Sequence, residues 1–153
     1  SIPKTLVKTL VRWISEKQMD NSSQAILIDI LDTPVSPELL PAGENGEILQ
    51  ITEDTVGPYI LHDFFLYNML RFGYEPRKIY FLAKIAFSGQ YEESVILKWL
   101  RTFYWRFFSQ QFKRNCIPDG PKVGSINLSP RGDWRMVSDA SVALWIQQLE
   151  TMQ

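Results

Sequence analysis

The sequence predicts a mainly α-helical fragment of a larger protein, and three observations favour this fold class. Apolar residues recur at a spacing of about 3.6 residues in several stretches, which is the pattern of helices with one buried face. Gly and Pro separate these stretches and leave little room for a sheet. The first amphipathic stretch begins almost at the first residue, which is unusual for an independent domain and indicates a fragment.

The first predicted helix begins near Pro3, because proline suits a first helical turn, where its missing N–H needs no partner. Its predicted inner face consists of Leu6, Val7, Leu10 and Ile14. Residues 24 to 31 are a short apolar segment whose pattern does not separate a helix from a strand. Residues 32 to 56, acidic and marked by Pro and Gly, are predicted to be a mobile surface loop.

Four further helices are predicted along the chain. Pro58 and Gly73 bracket the first of them, Pro76 begins the next one, and the longest runs from about residue 92 to 114. A last helix is expected from about residue 140 to 149, with Ser138 or Asp139 as its N-cap. The predicted inner faces are Leu61, Phe64, Phe65 and Met69; Ile96, Trp99, Leu100, Phe103 and Phe107; and Ala143, Leu144 and Leu149.

Residues 112 to 139 are predicted to form one long loop around which the function is organised. Its prolines remove backbone donors and its glycines favour turns, so it is neither a regular helix nor a central strand. Long ordered loops in compact domains are usually functional. This loop carries Lys113, Arg114, Lys122, Arg131 and Arg135 against Asp119, Asp133 and Asp139.

Composition excludes several classes of protein. The formal net charge is −1, which argues against a general nucleic-acid binder. The single Cys116 excludes an intramolecular disulfide, and its pairing with His62 as a catalytic dyad is disfavoured. No apolar run is long enough for a membrane span, so a cytoplasmic protein without membrane or nucleic-acid partners is predicted.

Five sequence blocks carry a family resemblance: PKTLV at 3 to 7, SPELLP at 36 to 41, TEDTVGPY at 52 to 59, QQFKRNCIPDGPKVGS at 110 to 125 and LSPRGDWR at 128 to 135. In this order they resemble the C-terminal part of the synthetase domain of glutamine-dependent NAD synthetases. The resemblance implies a parent domain with an α/β adenine-nucleotide α-hydrolase-like fold. It also implies that residues 1 to 153 lack the SGGxDS phosphate-binding loop and the glutaminase domain, so the fragment alone is predicted to be inactive.

The resemblance further implies an ATP-dependent ligase. ATP adenylates the nicotinate carboxylate of deamido-NAD, and ammonia from the glutaminase domain of the same full-length chain then displaces AMP. Mg²⁺ is expected, with ligands mainly upstream, and no residue of this chain is assigned to a metal. A homo-oligomer is also expected.

The same resemblance assigns roles to individual residues. Lys4 and Ser36 match positions at ATP, Lys113 matches a catalytic lysine that stabilises an oxyanion, and Asp133 matches a catalytic aspartate with a general-base role. Contacts with deamido-NAD are implied for Glu53, Asp54, Lys113, Arg114 and Arg135.

Each assignment has a structural alternative. Lys4, Glu53 and Asp54 could be solvated surface residues, and Ser36 a turn residue before Pro37. Lys113 and Arg114 would also suit a helix C-terminus, where cations interact favourably with the helix dipole. Asp133 could be the partner of Arg131 or Arg135.

Two other function classes stay open on the sequence. One is a helical module that binds protein or RNA without ATP chemistry. The other is a related ATP pyrophosphatase that amidates another carboxylate.

Overall fold

The structure, a computed structural model, describes residues 2 to 33 and 52 to 152. Over these ranges the chain is mainly α-helical and contains no strand, which confirms the predicted helical character. The chain divides into two compact units, one of residues Ile2–Tyr59 and one that begins at Ile60. Within the described ranges no helix is both long enough and apolar enough to span a membrane.

The first unit contains α1 (Lys4–Gln18), α2 (Asn21–Asp32) and α3 (Thr52–Val56), and α1 packs against α2. The segment that could have been helix or strand is therefore a helix. Asp20 caps it, because its carboxylate accepts hydrogen bonds from the backbone N–H groups of Ser22 and Ser23, each at 2.9 Å. The cap satisfies two of the four donors that the first turn leaves without an intrahelical partner.

The predicted inner face of α1 is only partly buried. Leu6, Val7 and Leu10 are exposed, whereas Ser15 is fully buried and donates its hydroxyl to the Arg12 carbonyl at 2.7 Å. The 3.6-residue pattern identified the apolar stripe, but it did not show which part of that stripe would be covered. The predicted loop over residues 32 to 56 lies largely outside the described residues, and its last five residues form α3.

The second unit is built around α6. It holds nearly all of α4 (Tyr59–Phe72), together with α5 (Pro76–Ala86), α6 (Glu93–Ser109), α7 (Gln111–Asn115) and α8 (Ala143–Glu150). α6 contacts α5, α7 and α8, and α5 also contacts α8. The core is formed by Leu61, Phe65, Met69, Ile79, Tyr80, Ala83, Phe87, Ile96, Leu97, Leu100, Phe103, Tyr104, Phe107, Phe108 and Leu149.

Two helix boundaries differ from the prediction. The helix expected up to residue 114 ends at Ser109, and α7 starts afresh after Gln110, whose φ of −108° and ψ of 26° depart from helical values. The last helix begins at Ala143 after Val142, so neither Ser138 nor Asp139 caps it. Leu144 is 79% exposed. Trp145 packs inward instead, with its ring 5.1 Å from Tyr104 and 4.9 Å from Phe108, because an indole buries more apolar area than a leucine.

Gly73 ends α4 as predicted, and its φ of +65° makes a side chain unfavourable there. We expect Gly73→Ala to lower the free energy of unfolding by about 1–2 kcal/mol, because L-residues are strained in this left-handed conformation. Denaturant unfolding measures the change. Gly120→Ala is the matched control: an added Cβ has open space at both positions, but Gly120 does not have a positive φ. Equal losses in the two variants would contradict the explanation.

Candidate active site

Lys113 and Arg114 lie on α7, but their side chains have different surroundings. Lys113 is exposed, and its Nζ lies 6.0 Å from the centre of the exposed Phe112 ring. The Lys113 ammonium can therefore reach a bound anion without first leaving a buried site. Lys113 and Arg114 are adjacent in the sequence, yet only the Lys113 side chain is exposed.

Arg114 is directed into the protein. Its Nη2 donates to the Phe107 carbonyl at 2.5 Å, and its guanidinium carbon lies 3.9 Å from the centre of the Phe107 ring. Burial lowers the pKa of Arg114, and its Nε is buried without a hydrogen-bond partner among the described residues. This geometry is a cation–π contact reinforced by a hydrogen bond to the end of α6.

Phe107 also contacts Trp134, the residue that follows Asp133 in the chain. The Trp134 ring meets Phe107 edge-on, with ring centres 5.7 Å apart and planes at 76°. At the other end of α7, the fully buried Gln111 donates its Nε2 to the Met136 carbonyl at 3.4 Å. The short helix with Lys113 is thus bonded directly to the segment after Asp133 through Gln111, and it is linked to Trp134 indirectly because Arg114 and Trp134 both contact Phe107 of α6.

Asp133 closes a compact turn. Its Oδ2 accepts from the backbone N–H of Asn127 at 2.7 Å, while the Asn127 Oδ1 accepts from the backbone N–H of Ser129 at 2.9 Å. Gly132 donates its N–H to the Ser129 carbonyl at 2.9 Å. A Cβ at Gly132 would lie 3.3 Å from the Cβ of Asn127, so the turn favours glycine there. The carboxylate is therefore held by the fold of its own turn.

The ion-pair partner of Asp133 is Lys122, whose Nζ lies 2.8 Å from Oδ2. The hydrogen bond from Lys122 and the N–H of Asn127 lower the pKa of Asp133 below its usual value, so the group is ionised at neutral pH. The structural alternative predicted Arg131 or Arg135 as the partner of Asp133, and this prediction is wrong because the partner is Lys122. Arg135 is exposed.

Arg131 organises the preceding part of the loop. Its Nε donates to Asp119 Oδ1 at 3.1 Å, its Nη1 donates to the Asn115 carbonyl at 3.4 Å, and its Nη2 donates to the Ile117 carbonyl. One planar guanidinium thus joins the turn to the segment that follows α7. No local pattern in the sequence predicts these contacts, because the partners lie 12 to 16 positions away.

In the first unit, two predicted site residues meet at Tyr59. The Lys4 ammonium donates to the Tyr59 hydroxyl at 3.1 Å and lies 4.3 Å from its ring centre, while Glu53 Oε1 accepts from the Tyr59 N–H at 2.8 Å. Asp54 is exposed in the first turn of α3. Ser36 lies outside the described residues. Sequence reasoning did not single out Tyr59, although it ends the TEDTVGPY block.

The described residues do not by themselves fit a Mg²⁺ site. No three Asp, Glu, His or Cys side chains in the described part of the chain come together as a possible ligand group. Glu53 already accepts from Tyr59 through one oxygen. Octahedral Mg²⁺ bound with nucleotides usually takes one or two carboxylates plus phosphates and water, so this part of the chain offers no complete set.

Curated proteins from mycobacteria match nearly the whole chain. It is 42% identical over 97% of its length to the glutamine-dependent NAD(+) synthetase of Mycobacterium leprae, and equally to that of Mycobacterium tuberculosis. The chain is a relative of glutamine-dependent NAD(+) synthetases. The resemblance found in the five sequence blocks is thereby confirmed. At this coverage the match to the synthetases includes residues of both compact units.

The chain spans about a quarter of the length of these synthetases, 25% of the M. leprae protein and 24% of the M. tuberculosis protein. No protein-family model matches it.

Proposed function

We propose that this chain is the C-terminal part of a glutamine-dependent NAD synthetase, an ATP-dependent ligase that converts deamido-NAD to NAD. The observation that carries the proposal is 42% identity over 97% of the chain to synthetases of this kind. In the proposed full-length protein, the parent domain has an α/β adenine-nucleotide α-hydrolase-like fold. The phosphate-binding loop and the glutaminase domain belong to the remainder.

The proposed reaction has two steps. The nicotinate carboxylate of deamido-NAD attacks the α-phosphorus of ATP, which forms an acyl adenylate and releases pyrophosphate. Ammonia from the glutaminase domain then attacks the acyl carbon, a C–N bond forms, and the C–O bond to AMP breaks. The attacking nitrogen loses a proton to a base as the amide is formed.

Lys113 is proposed to stabilise the charge that develops during the second step. Its side chain is exposed in the middle of a short helix that Gln111 and Arg114 anchor on either side of it. A cation held close to the acyl oxygen stabilises the oxyanion of the tetrahedral intermediate more than it stabilises the neutral carbonyl. The same ammonium could neutralise a phosphate or carboxylate of deamido-NAD during binding.

Asp133 is proposed to receive the proton or a hydrogen bond from the attacking nitrogen. Its Oδ2 is engaged by Lys122 and by the N–H of Asn127, and its side chain is 41% exposed. An ionised carboxylate with a fixed orientation suits a nitrogen that becomes more acidic as it bonds to carbon. The lowered pKa of Asp133 favours this assistance late in the step, after positive charge has developed on nitrogen.

Lys4 is proposed to bind the ATP phosphates. Lys4 donates to the Tyr59 hydroxyl, so a phosphate can replace this contact without competing against a carboxylate. Ser36 is proposed as a second ATP contact, and Glu53, Asp54 and Arg135 as contacts of deamido-NAD. We further propose Mg²⁺ bound mainly by residues outside this chain, a homo-oligomer, and a cytoplasmic location.

The direct test compares the 153-residue chain with the full-length protein. We expect the full-length protein to form NAD from deamido-NAD, ATP and either glutamine or ammonia, and the isolated chain to form none. Chromatographic detection of NAD and AMP measures both. A full-length protein that forms AMP with a different carboxylate substrate, and not with deamido-NAD, would overturn the proposed substrate. Turnover by the isolated chain would show that the site is complete within it.

A further inference from the structure

Three side chains connect the two catalytic residues of the proposed function. The guanidinium carbon of Arg114 lies 3.9 Å from the centre of the Phe107 ring, and the Trp134 and Phe107 rings meet in a T-shaped arrangement with their centres 5.7 Å apart. Arg114 directly follows Lys113 in the chain, and Trp134 directly follows Asp133. A displacement of any member of this cluster therefore moves the backbone beside a catalytic residue.

We propose that Arg114, Phe107 and Trp134 form a positioning cluster that holds Lys113 and Asp133 in a fixed relation, and that Arg114 does not bind deamido-NAD. The inference rests on the proposed function for the roles of Lys113 and Asp133. It replaces the family-based assignment of Arg114 as a substrate contact with a role that acts through its neighbours.

The hydrogen bonding of Arg114 supports a structural role. Its Nη2 donates to the Phe107 carbonyl at 2.5 Å, a group near the end of α6, where carbonyls lack intrahelical partners. Binding a substrate with the same guanidinium would break this bond and withdraw the cation from the ring. The Nε of Arg114 is buried away from solvent, and this burial lowers the pKa of the guanidinium.

The helical geometry separates Arg114 from Lys113. Successive residues on an α-helix point about 100° apart, because one turn takes about 3.6 residues. With Arg114 directed onto Phe107, Lys113 stays exposed on a different side of α7. The inward arginine thus determines the outward direction of the lysine.

Gln111 makes the attachment of α7 more rigid. It is fully buried, and its amide donates to the Met136 carbonyl, two residues beyond Trp134. One end of α7 is therefore bonded to the segment after Asp133, and the other end reaches that segment through Phe107. Two attachments resist rotation of a short helix better than one.

The chemistry of the cluster requires arginine. A planar guanidinium can stack on a ring and donate from its edge at the same time, whereas a lysine ammonium is a compact, strongly hydrated charge. Arg114→Lys keeps the charge and should lose this geometry. A misplacement of catalytic groups by about 1 Å can lower a rate by about 10²-fold.

The first test uses the full-length protein and measures kcat and KM for deamido-NAD in ammonia-dependent synthesis. We expect Arg114→Lys to lower kcat by about tenfold or more while KM changes by less than about twofold. Arg77→Lys, an exposed arginine on α5, is the control and should leave both constants unchanged. A rise in KM at constant kcat would show a substrate contact and overturn the proposal.

The second test needs no substrate. Arg114→Lys and Trp134→Leu are combined in a double-mutant cycle, and denaturant unfolding is measured for each variant. We expect the two changes to be non-additive, because both residues pack on Phe107. Trp134→Phe should retain most of the kcat, since it keeps an aromatic ring to pack on Phe107, and the indole N–H that it removes has no partner among the described residues.

Additive effects in this cycle would overturn the cluster. The double-mutant cycle does not depend on the proposed function. A full-length protein that makes no NAD can still show non-additive effects of the Arg114 and Trp134 substitutions on stability.

Discussion

Lys113→Ala is expected to lower ammonia-dependent NAD synthesis by the full-length protein by about 10²- to 10³-fold, the range for loss of one group that stabilises an oxyanion. The Lys113 side chain is exposed and has no carboxylate partner among the described residues, so its removal breaks no ion pair of the fold. The loss should therefore appear in catalysis. Steady-state kinetics with ammonia as the nitrogen source measures it without interference from the glutaminase.

Lys98→Ala is the matched control for this experiment. Lys98 is also an exposed helical lysine beside an aromatic neighbour, with its Nζ 4.5 Å from the Trp99 ring centre, but it is not a predicted site residue. If Lys113 served only to complement the dipole of α7, Lys113→Ala would lower stability by about 0.3–1 kcal/mol and leave the rate unchanged. Normal kinetics in Lys113→Ala would remove Lys113 from the proposed mechanism.

Local signals in the sequence predicted the helices that have clear start and stop residues. Pro76 begins α5 and Gly73 ends α4, because the missing N–H of proline and the positive φ of glycine act within one turn. The break at Gln110 has no such signal, since neither Gly nor Pro occurs nearby. α8 starts later than predicted, and its Trp145 packs on Tyr104 and Phe108, which are distant in the sequence.

In the candidate site, too, some features could be predicted from the sequence and others depend on the fold. Family resemblance predicted substrate-site roles for Lys113 and Asp133, and it also predicted that Arg114, like Lys113, contacts deamido-NAD. Only the fold shows that Arg114 turns onto Phe107 while Lys113 remains outside. Likewise, the structural alternative for Asp133 named Arg131 or Arg135 as its partner, whereas the turn brings Lys122 to it. The partners of Arg114 and Asp133 are set by contacts that form only in the folded chain. No sequence pattern specifies those contacts.

Asp133→Asn is the second large effect that we expect. The substitution keeps an oxygen that can accept from the Asn127 N–H, but it removes the negative charge and most of the proton affinity. Ammonia-dependent synthesis should fall by about 10²-fold, the lower end of the usual range for general acid–base groups of about 10²- to 10⁴-fold. The lower end is appropriate because the ion pair with Lys122 already weakens Asp133 as a base.

Two controls separate chemistry from loop structure. Asp119→Asn breaks the ion pair with Arg131 and leaves Asp133 intact, so a purely structural loop would respond to it as strongly as to Asp133→Asn. Lys122→Met removes the principal cause of the lowered pKa of Asp133, so that pKa should rise toward its usual 3.8. Because the carboxylate stays ionised at neutral pH in this variant, its rate should fall less than that of Asp133→Asn.

The pH dependence of stability gives an independent reading of the same group. Folding lowers the pKa of Asp133, so its ion pair stabilises the fold fully above the ordinary pKa of 3.8, and this contribution is lost as the pH falls through the lower folded value. Asp133→Asn should remove that acid-dependent component without changing the slope of stability near neutral pH. If the variant kept full activity with both ammonia and glutamine but lost this component, Asp133 would be a structural residue of the loop, and the base would have to lie elsewhere in the full-length protein.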